Sequence, residues 1–335
     1  MKKLMIVGEA WGEKEEEEGQ PFVGPSGKLL KSYLRSAHIA LNNCYFTNVF
    51  NFRPKPSGKI ENLCGPRGDG IPRRKALIKG KFVRAEYAEE LIRLQEEIEA
   101  VKPNCILALG STAVWALLND TGIKKLRGAP TTTVTGVKVL PTYHPAAVLR
   151  EYKLRPIVWA DINKAEREMQ FPELRRPRRE FWLNPTIEDL AKFEAKHILP
   201  AKELSVDIET WNRQITCIGF APTEDRALVI PFCSRGAPDG NYWRTFQEER
   251  IAWDCVRRWL TLGKRLYGQN FLYDVSYLWP KMRIPLHDIT DDTMLAHHAM
   301  QPEMEKGLGF LGSVYTNEPS WKFMRMDIKT LKKED

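Results

Sequence analysis

The first 170 residues alternate between short apolar runs and longer segments with helical periodicity, and this alternation limits the fold more than any other feature. The apolar runs are typical of buried strands; they are KLMIVG, CYFTNVF, CILALG and VKVLPTYH. The other segments place apolar residues three and four positions apart, as a helix does; they are GKLLKSYLRSA, RAEYAEELIRLQEEIEAV, STAVWALLN and ADINKAEREMQ. The alternation predicts an α/β three-layer sandwich around a mainly parallel sheet.

The segments that follow the predicted strands are where a functional site is expected. Ligands of open α/β sheets bind beyond the carboxyl ends of the strands. The segments at those ends are GEAWGE, NVFNFRP, LGSTA and YHPAAVLR. We expect these four loops to meet in one crevice.

Length and charge divide the chain into two parts. Its 335 residues exceed what one compact core usually supports, and the Pro- and Arg-rich segment 171–180 predicts a basic linker between a domain at 1–170 and a domain at 181–335. Residues 1–180 hold 31 Lys and Arg against 21 Asp and Glu, whereas residues 181–335 hold 20 against 22. The excess of positive charge in the first part indicates binding to a polyanion. Segment 53–84 has ten basic and two acidic residues, and it is either a solvated loop or an insertion that binds phosphate.

The sequence indicates neither a membrane partner nor a cysteine metal site. It contains no run of 18 uncharged apolar residues, and a glycine interrupts the N-terminal apolar run too early for a signal peptide. We therefore expect a soluble, intracellular protein. The cysteines include no CxxC pair, so their spacing suggests neither zinc nor an iron–sulfur cluster; they are Cys44, Cys64, Cys105, Cys217, Cys233 and Cys255.

Three segments of the first domain resemble motifs of the family 4 uracil-DNA glycosylases. GEAWGEKEEEEGQPFVGPSGKLL, residues 8–30, is similar to their first motif, and YHPAAVLR, residues 143–150, is similar to their second. TNVFNFRP resembles the intervening N-V-x-x-x-R-P element. The three occur in the family's order, which is more specific than a single glycine-rich turn. The resemblance implies a monofunctional enzyme that hydrolyses the N-glycosidic bond of a uracil flipped out of DNA.

The resemblance also implies a role for individual residues of a base pocket. Phe22 would stack on the flipped pyrimidine, and Asn48 would pair with the uracil N3–H and O4, with Ala10 beside them. His144 would donate a hydrogen bond to the uracil O2 as negative charge develops there. Glu9 would lie at the sugar, where a carboxylate can orient water and offset positive charge.

The remaining assignments concern specificity and DNA contact. Glu15 would fill the space beside C5 and exclude the thymine methyl group, whereas the neighbouring glutamates are expected on a solvated helix start. Arg53 and Arg150 would contact DNA, Arg150 through phosphate.

The first domain departs from the family pattern at several positions. Trp11 replaces a proline of the first motif, Glu16 an aspartate and Ser26 an alanine. Family members carry four cysteine ligands for an iron–sulfur cluster, including a pair upstream of the first strand, and that pair has no counterpart here. We therefore expect neither a cluster nor another cofactor for the glycosylase.

The second domain carries paired carboxylates in a different pattern. Asp207 and Glu209 alternate with apolar residues on a predicted strand, so both point to one face. With Asp274 in GQNFLYDVSYL, they resemble the first two motifs of the 3′–5′ exonuclease domain of family A DNA polymerases, an RNase H-like α/β fold. LHDITDDTMLAHHAM, with Asp292, extends the likeness in a style common in phage polymerases. The resemblance implies a metal site of Asp207, Glu209 and Asp274 that takes Mg²⁺ or Mn²⁺.

That exonuclease site is expected to be incomplete. The family's last carboxylate lies in a Y-x-x-x-D helix, and here Tyr315 is followed four residues later by Pro319. We therefore expect a domain truncated before its last motif, and a weak or inactive nuclease unless another polypeptide completes it.

The combined interpretation is a uracil-DNA glycosylase joined to the front of a polymerase-type proofreading module. Its partners would be uracil-containing DNA and a separate polypeptide that carries the rest of a family A DNA polymerase. The resemblance also implies a cytoplasmic location in a phage-infected bacterial host. Two alternatives stay open. One is a non-catalytic uracil reader attached to a split polymerase, and the other is a 3′–5′ exonuclease with a DNA-gripping N-terminal domain.

Overall fold

The computed structural model describes residues 3–286 and 290–318, which form two compact units. The first unit comprises residues up to Arg175 together with the segment that begins at Gly309, and the second runs from Arg176 to Leu308. The boundary at Arg175 falls inside the expected linker 171–180. The second unit ends at Leu308, however, which differs from the expected domain 181–335.

The first unit is built on a five-stranded sheet with the order β2-β1-β5-β7-β6. The strands β1, β2, β5 and β7 are parallel, and the short edge strand β6 is antiparallel to β7. A separate two-stranded ribbon, β3 with β4, lies in the basic insertion. The strands are β1 (Leu4–Ala10), β2 (Cys44–Phe50), β3 (Cys64–Gly65), β4 (Phe82–Val83), β5 (Cys105–Leu109), β6 (Thr131–Thr132) and β7 (Lys138–Thr142).

Helices cover both faces of this sheet. One face, which includes Met5 and Val7 of β1, packs in a single apolar cluster with Leu94, Ile98 and Trp115 of the third and fourth helices. The seventh helix packs against β5 and β7. Strands buried on both faces explain the continuous apolar runs, and the α/β three-layer prediction is confirmed. The helices are α1 (Glu13–Glu18), α2 (Pro25–Ser36), α3 (Ala88–Val101), α4 (Gly110–Leu118), α5 (Ile123–Leu126), α6 (Pro145–Arg150) and α7 (Arg155–Glu168).

The second unit is built on a six-stranded mixed sheet with the order β13-β12-β9-β10-β11-β8. β9, β10 and β11 form an antiparallel meander, whereas β12 pairs parallel with both β9 and β13, and β8 pairs parallel with β11. This arrangement confirms the expected RNase H-like α/β fold. The strands are β8 (Glu180–Trp182), β9 (Glu203–Trp211), β10 (Gln214–Thr223), β11 (Arg226–Pro231), β12 (Arg265–Gly268) and β13 (Thr290–Asp292).

Helices of the second unit begin at recognisable caps and enclose an aromatic core. Capping boxes start two of the helices, with Thr186 opening one and Thr245 the other. The ring of Trp259 lies 5.0 Å from that of Phe220 and 6.3 Å from that of Phe193. The helices are α8 (Ile187–Phe193), α9 (Phe246–Leu260), α10 (Leu272–Leu278) and α11 (Thr293–Met300).

The last described helix, α12 (Leu308–Tyr315), returns the chain to the first unit. The Arg127 guanidinium lies 5.7 Å from the ring centre of Phe310, and it donates a hydrogen bond to Ser313 Oγ. These contacts explain why the segment after Leu308 belongs with the first unit. Pro319 lies outside the described residues. Among the residues that are described, no helix is long and apolar enough to cross a lipid bilayer.

Candidate functional site

The carboxyl ends of four parallel strands define one edge of the first unit's sheet. Glu9 and Ala10 end β1, Asn48 lies near the end of β2, and His144 follows β7 after one intervening residue. α4 begins directly after β5. The geometry of a parallel sheet therefore brings the four predicted loops to the same edge.

Phe22 and Asn48 meet at Gly8 of β1. Gly8 is the register partner of Asn48 on the adjacent strand. A Cβ atom at residue 8 would lie 2.2 Å from Asn48 Oδ1 and 2.7 Å from Phe22 Cζ. The Asn48 amide and the Phe22 ring therefore both pack against Gly8. They can approach this closely because residue 8 has no side chain.

The backbone of Phe22 is held in an unusual conformation. Its φ is 59°, a value that aromatic residues rarely adopt. The first turn of α2 packs tightly against it, since a Cβ at Gly27 would lie 2.2 Å from the Phe22 carbonyl oxygen. The ring is buried and lies 5.7 Å from that of Phe46, tilted by 58°. The loop thus directs this buried ring towards Gly8 of β1.

Glu15 is separated from the other glutamates of α1 by its burial. Its side chain is 8% exposed, and Oε1 accepts a hydrogen bond of 2.8 Å from the Gly24 N–H. Cβ atoms at Gly12 and Gly24 would lie 2.7 and 3.1 Å from its carboxylate oxygens. Glu16, by contrast, is exposed to solvent and bonds Lys55 at 2.6 Å. The acidic run is therefore a short helix with one inward-facing carboxylate.

His144 caps the start of α6 and is held as a neutral imidazole. Its Nδ1 accepts a hydrogen bond of 3.2 Å from the Ala146 N–H, so the proton of the neutral ring is on Nε2. Burial lowers the pKa of His144 to about 4, with a further lowering by Arg150 and an opposing effect of Glu15. Gly110 permits close packing, because its Cβ would lie 3.2 Å from His144 Cβ. The ring therefore offers an N–H donor at neutral pH.

Glu9 is fixed by a residue that the motif comparison did not single out. The Thr112 hydroxyl, in the first turn of α4, donates a hydrogen bond to Glu9 Oε2. Burial raises the pKa of Glu9, the Thr112 hydrogen bond opposes this, Glu61 adds to the rise and Arg150 lowers it. Thr112 belongs to LGSTA, one of the four loops expected at the crevice, and this position was the signal available in the sequence.

Arg93 is a second residue that sequence reasoning missed. Its Nη2 donates hydrogen bonds of 2.8 Å to the Asn48 carbonyl and 3.0 Å to the Val49 carbonyl. Glu90 and Glu97 on the same helix hold the guanidinium. Arg93 thus fixes the end of β2 that carries Asn48. It lies 45 residues from Asn48, so no local pattern identifies it.

The two arginines predicted to bind DNA have different surroundings. Arg53 forms ion pairs with Glu16 at 3.4 Å and Glu13 at 3.9 Å. Arg150 is exposed at the end of α6, close enough to His144 and Glu9 to influence the pKa of each. Arg150 therefore lies near His144 and Glu9, and DNA contact by either arginine stays a prediction.

Trp11, which replaces the family's proline, follows the end of β1. Its backbone N–H donates to the Phe52 carbonyl at 3.2 Å. Its buried indole Nε1 has no hydrogen-bond partner among the described residues. The substitution therefore leaves a donor unsatisfied beside β1.

The basic insertion presents several exposed cations, although some of its basic residues are structural. Arg74 donates to the Trp115 and Ala116 carbonyls near the end of α4, and Lys75 pairs with Asp120. A cleft of about 550 Å³ lies against residues 67–76 and Phe82. Exposed cations of the insertion include Lys59, Arg67, Arg73, Lys79 and Lys81.

The carboxylates of the second unit differ in their exposure to solvent. Asp207 and Glu209 are exposed on one face of β9, as expected. Asp274 is 3% exposed, and its Oδ1 accepts a hydrogen bond of 2.8 Å from the Ile208 N–H. Burial raises its pKa to about 6, with Asp207 and Asp292 adding to the rise. In residues 3–286 and 290–318, no group of three or more His, Cys, Asp or Glu is gathered to hold a metal ion.

Asp292 has a structural role. Its side chain caps α11 through the Met294 N–H at 2.8 Å and accepts from the Phe271 N–H at 2.8 Å. The predicted metal site of Asp207, Glu209 and Asp274 stays a prediction.

Comparison with known proteins assigns the first unit to a family. The family model described as the uracil DNA glycosylase superfamily matches residues 1–167. A type-4 uracil-DNA glycosylase of Thermotoga maritima is 35% identical over 168 residues, which cover 49% of this chain and 76% of the relative. A type-4 uracil-DNA glycosylase of Archaeoglobus fulgidus is 31% identical over 174 residues, which cover 48% of this chain and 74% of the relative. The chain belongs to the uracil-DNA glycosylase superfamily.

Solved structures similar to this member of the superfamily have low sequence identity and low TM-scores. The Aedes aegypti Nibbler EXO domain has a TM-score of 0.32 and 11% identity, covering 47% of this chain and 83% of that one. Escherichia coli RNase D, described as an exoribonuclease involved in structured RNA processing, has a TM-score of 0.33 and 17% identity, covering 44% of this chain and 36% of that one.

The cysteines of this superfamily member do not fit an iron–sulfur cluster. Cys44, Cys64 and Cys105 of the first unit are buried. Within the described residues they belong to no group of three or more potential ligands that could hold a metal ion. No step of the chemistry considered below involves such a group.

Proposed function

We propose that the first unit is a uracil-DNA glycosylase that hydrolyses the N-glycosidic bond of a uracil flipped out of DNA. The observation that carries this proposal is the contact of Phe22 and Asn48 over Gly8, at the same sheet edge as the neutral His144. Superfamily membership supports it.

Phe22 and Asn48 would recognise the base. A pyrimidine on an aromatic face gains about 1–3 kcal/mol by stacking. The Asn48 amide offers an acceptor for the uracil N3–H and a donor for O4. Cytosine presents the inverted pattern at both atoms, so a rigidly held amide would reject it. Arg93 supports this role because it fixes the backbone at Asn48.

His144 would stabilise the leaving group. As the glycosidic bond breaks, electrons move onto the uracil ring and negative charge develops at O2. The Nε2–H of the neutral imidazole can donate to this oxygen without giving up its proton. The hydrogen bond from Ala146 to Nδ1 fixes this tautomer before the substrate arrives.

Glu9 would act on the sugar side of the bond. Loss of the base leaves positive charge on the sugar, and a carboxylate can offset that charge and orient the attacking water. The Thr112 hydroxyl fixes the carboxylate orientation. Water adds to the sugar carbon and uracil leaves with the bonding electrons, so the products are free uracil and an abasic site.

Glu15 would provide the exclusion of thymine. Its carboxylate is held by Gly24, two residues after Phe22, and influences the pKa of His144. A buried carboxylate fixed at C5 would collide with a methyl group there. Ala10 would complete the wall of the pocket.

DNA would bind through phosphate contacts of Arg150 and the basic insertion. Each phosphate contact contributes about one unit to the slope of log affinity against log salt concentration. An Arg67→Ala, Arg73→Ala double variant should therefore show a slope smaller by about two than wild type. Lys192→Ala, which removes a lysine paired with Glu188 on the second unit, is the matched control.

The second unit is proposed to be a polymerase-type 3′–5′ exonuclease module that is weak or inactive as it stands. Its RNase H-like fold and the exposed Asp207 and Glu209 support the proposal. With Mg²⁺ or Mn²⁺ bound, such a site would activate water for phosphodiester cleavage. A separate polymerase polypeptide as partner and the cytoplasmic location both stay predictions.

The test is release of free uracil from a uracil-containing oligonucleotide. Wild type should release uracil in EDTA, whereas His144→Ala and Asn48→Ala should each be slower by about 100-fold or more. His38→Ala and Asn163→Ala, at residues outside the pocket, are the controls and should retain full rate. Tight binding without alkali-labile strands would favour the non-catalytic reader. Strand shortening that EDTA abolishes, without uracil release, would favour the exonuclease.

A further inference from the structure

Asp161 of α7 is a fully buried carboxylate that base recognition does not use. Its exposed fraction is 0%, and that of its partner Arg127 is 1%. Arg127 donates to both carboxylate oxygens, with Nε 2.9 Å from Oδ2. The Thr142 hydroxyl donates to the same Oδ2 at 2.7 Å. This carboxylate therefore joins α7, the segment after α5 and the last residue of β7.

The end of β7 is held from two directions by this arrangement. Thr142 lies two residues before His144 and bonds Asp161, while the preceding Pro141 accepts a hydrogen bond of 2.9 Å from the Gly128 N–H. Both contacts act on the last two residues of the strand. The backbone that leads into His144 therefore has little freedom to shift.

Residues after the second unit complete the network. Ser313 Oγ accepts from Arg127 Nη1 at 2.8 Å, and the Ser313 carbonyl accepts from Lys164 Nζ at 2.6 Å. Lys164 also donates to the Gly128 carbonyl at 2.7 Å and to the Thr316 carbonyl. The approach is so close that a Cβ at Gly128 would lie 2.4 Å from the Ser313 carbonyl oxygen.

The chemistry of this network is better suited to fixing the positions of its residues than to stabilising the folded protein. A buried ion pair loses much of its attraction to desolvation, so apolar residues of similar volume often stabilise a core equally well. A guanidinium, however, presents five donors in a planar fork and can fix two partners at defined angles. Here the fork fixes Asp161 and Ser313 together. Such a device is suited to a site whose groups must be held within about 0.5 Å.

We infer that Asp161, Arg127 and Ser313 are positioning residues for His144, and that residues 309–317 are part of the working glycosylase. This inference rests on the proposed function. The network holds the end of β7, β7 carries His144, and the segment that follows the second unit in the chain closes the network. Asn317 extends the closure, since it donates to Glu168 at 2.9 Å while Lys138 pairs with the same carboxylate.

The experiment compares conservative variants at the two ends of the network in the full chain. Thr142→Val removes the hydroxyl at constant shape and should slow single-turnover uracil release by about 10-fold, the effect of a displacement well below 1 Å. Thr142→Ser keeps the hydroxyl and should restore the rate to within about twofold. Ser313→Ala should also slow uracil release. Affinity for an uncleavable uracil oligonucleotide should change by less than about twofold, because the base-binding residues are untouched.

Thr133→Val is the matched control, because Thr133 bonds Val137 within the same unit and makes no contact with this network. A second readout is the NMR signal of the His144 imidazole, which should shift in Thr142→Val and Ser313→Ala but not in the control. Equal rates for Thr142→Val and Thr133→Val, or failure of Thr142→Ser to recover, would overturn the inference. If wild type releases no uracil, the proposed function fails, and an unchanged imidazole signal would then separately overturn the positioning role.

Discussion

Asn48 lies opposite Gly8 on the adjacent parallel strand, and its Oδ1 is 2.2 Å from the place that a Cβ of residue 8 would occupy. The same Cβ would lie 2.7 Å from the ring of Phe22. Real Cβ atoms do not approach other atoms this closely, so any side chain at residue 8 must displace both neighbours. The absence of a side chain at residue 8 of β1 therefore allows Asn48 and Phe22 to approach the strand this closely.

Gly8→Ala should therefore reduce uracil release, and it should also destabilise the fold by about 1–3 kcal/mol because it overpacks a buried strand. A displacement of Asn48 and Phe22 by about 1 Å corresponds to a rate loss of about 100-fold. Single-turnover uracil release is the measurement. Gly68→Ala is the control, since a Cβ there meets nothing within 4 Å. A Gly8→Ala protein with wild-type rate would contradict the proposed pocket.

The protonation of His144 gives a prediction for pH. Its pKa is about 4 in the folded protein and 6.5 without the fold, so the unfolded chain binds the proton more tightly. The contribution of neutral His144 to the free energy of unfolding is therefore fully present above pH 6.5. It is lost as the pH falls through 4, and the loss is at most about 3 kcal/mol. Wild type should lose this increment relative to His144→Gln in urea unfolding between pH 7 and 4. An imidazole that titrates near 6.5 by NMR would contradict the neutral assignment.

Arg93→Ala should weaken both stability and activity. It removes the donors to the Asn48 and Val49 carbonyls, and such charged hydrogen bonds contribute about 2–3 kcal/mol. Uracil release should fall by about 10-fold, since the end of β2 is no longer fixed. Denaturant unfolding and uracil release measure the two effects. Arg257→Ala, at an exposed helical arginine of the second unit, should leave the release rate unchanged.

The buried carboxyl group of Asp274 leads us to expect the opposite dependence of stability on pH in the second unit. Its pKa is about 6 when folded and 3.8 without the fold, so folding favours the protonated form and wild type loses stability as the pH rises from 4 to 6. Asp274→Asn keeps the acceptor for the Ile208 N–H but does not titrate. In EDTA, the free energy of unfolding of Asp274→Asn relative to that of wild type should increase by about 3 kcal/mol between pH 4 and 7. Asp254→Asn, at an exposed aspartate, should show no such growth, and a flat difference for Asp274→Asn would count against the buried carboxylate.

Much of the fold and of the pocket followed from local patterns. The apolar runs around Leu4, Cys44, Cys105 and Lys138 became the four parallel strands, because strands covered on both faces must be apolar throughout. Parallel strands end at one edge, so the segments after them had to meet. The structure places the base-binding residues inferred from motif resemblance at that edge.

The supporting residues could not be predicted in the same way. Thr112 reaches Glu9 across 103 positions, and Arg93 reaches Asn48 across 45. The periodicity of a helix does not indicate which residue a hydroxyl or guanidinium on it will bond. That partner depends on how the helix packs against the rest of the fold. The burial of Asp274 was missed for the same reason, because its spacing from Asp207 does not reveal that its oxygen bonds the strand backbone.

The sequence by itself determined the strand and helix alternation and the shared sheet edge, because these depend on periodicity. Its short motifs carried the family resemblance on which the proposed base pocket rests. Only the tertiary structure decided which protonation state His144 takes, which residues hold it, and that the segment after Leu308 completes the first unit. Those outcomes depend on burial and on contacts between residues as far apart as Arg127 and Ser313, whose separation along the chain is 186. Desolvation and long-range hydrogen bonds exist only once the chain has folded, so no local pattern encodes them.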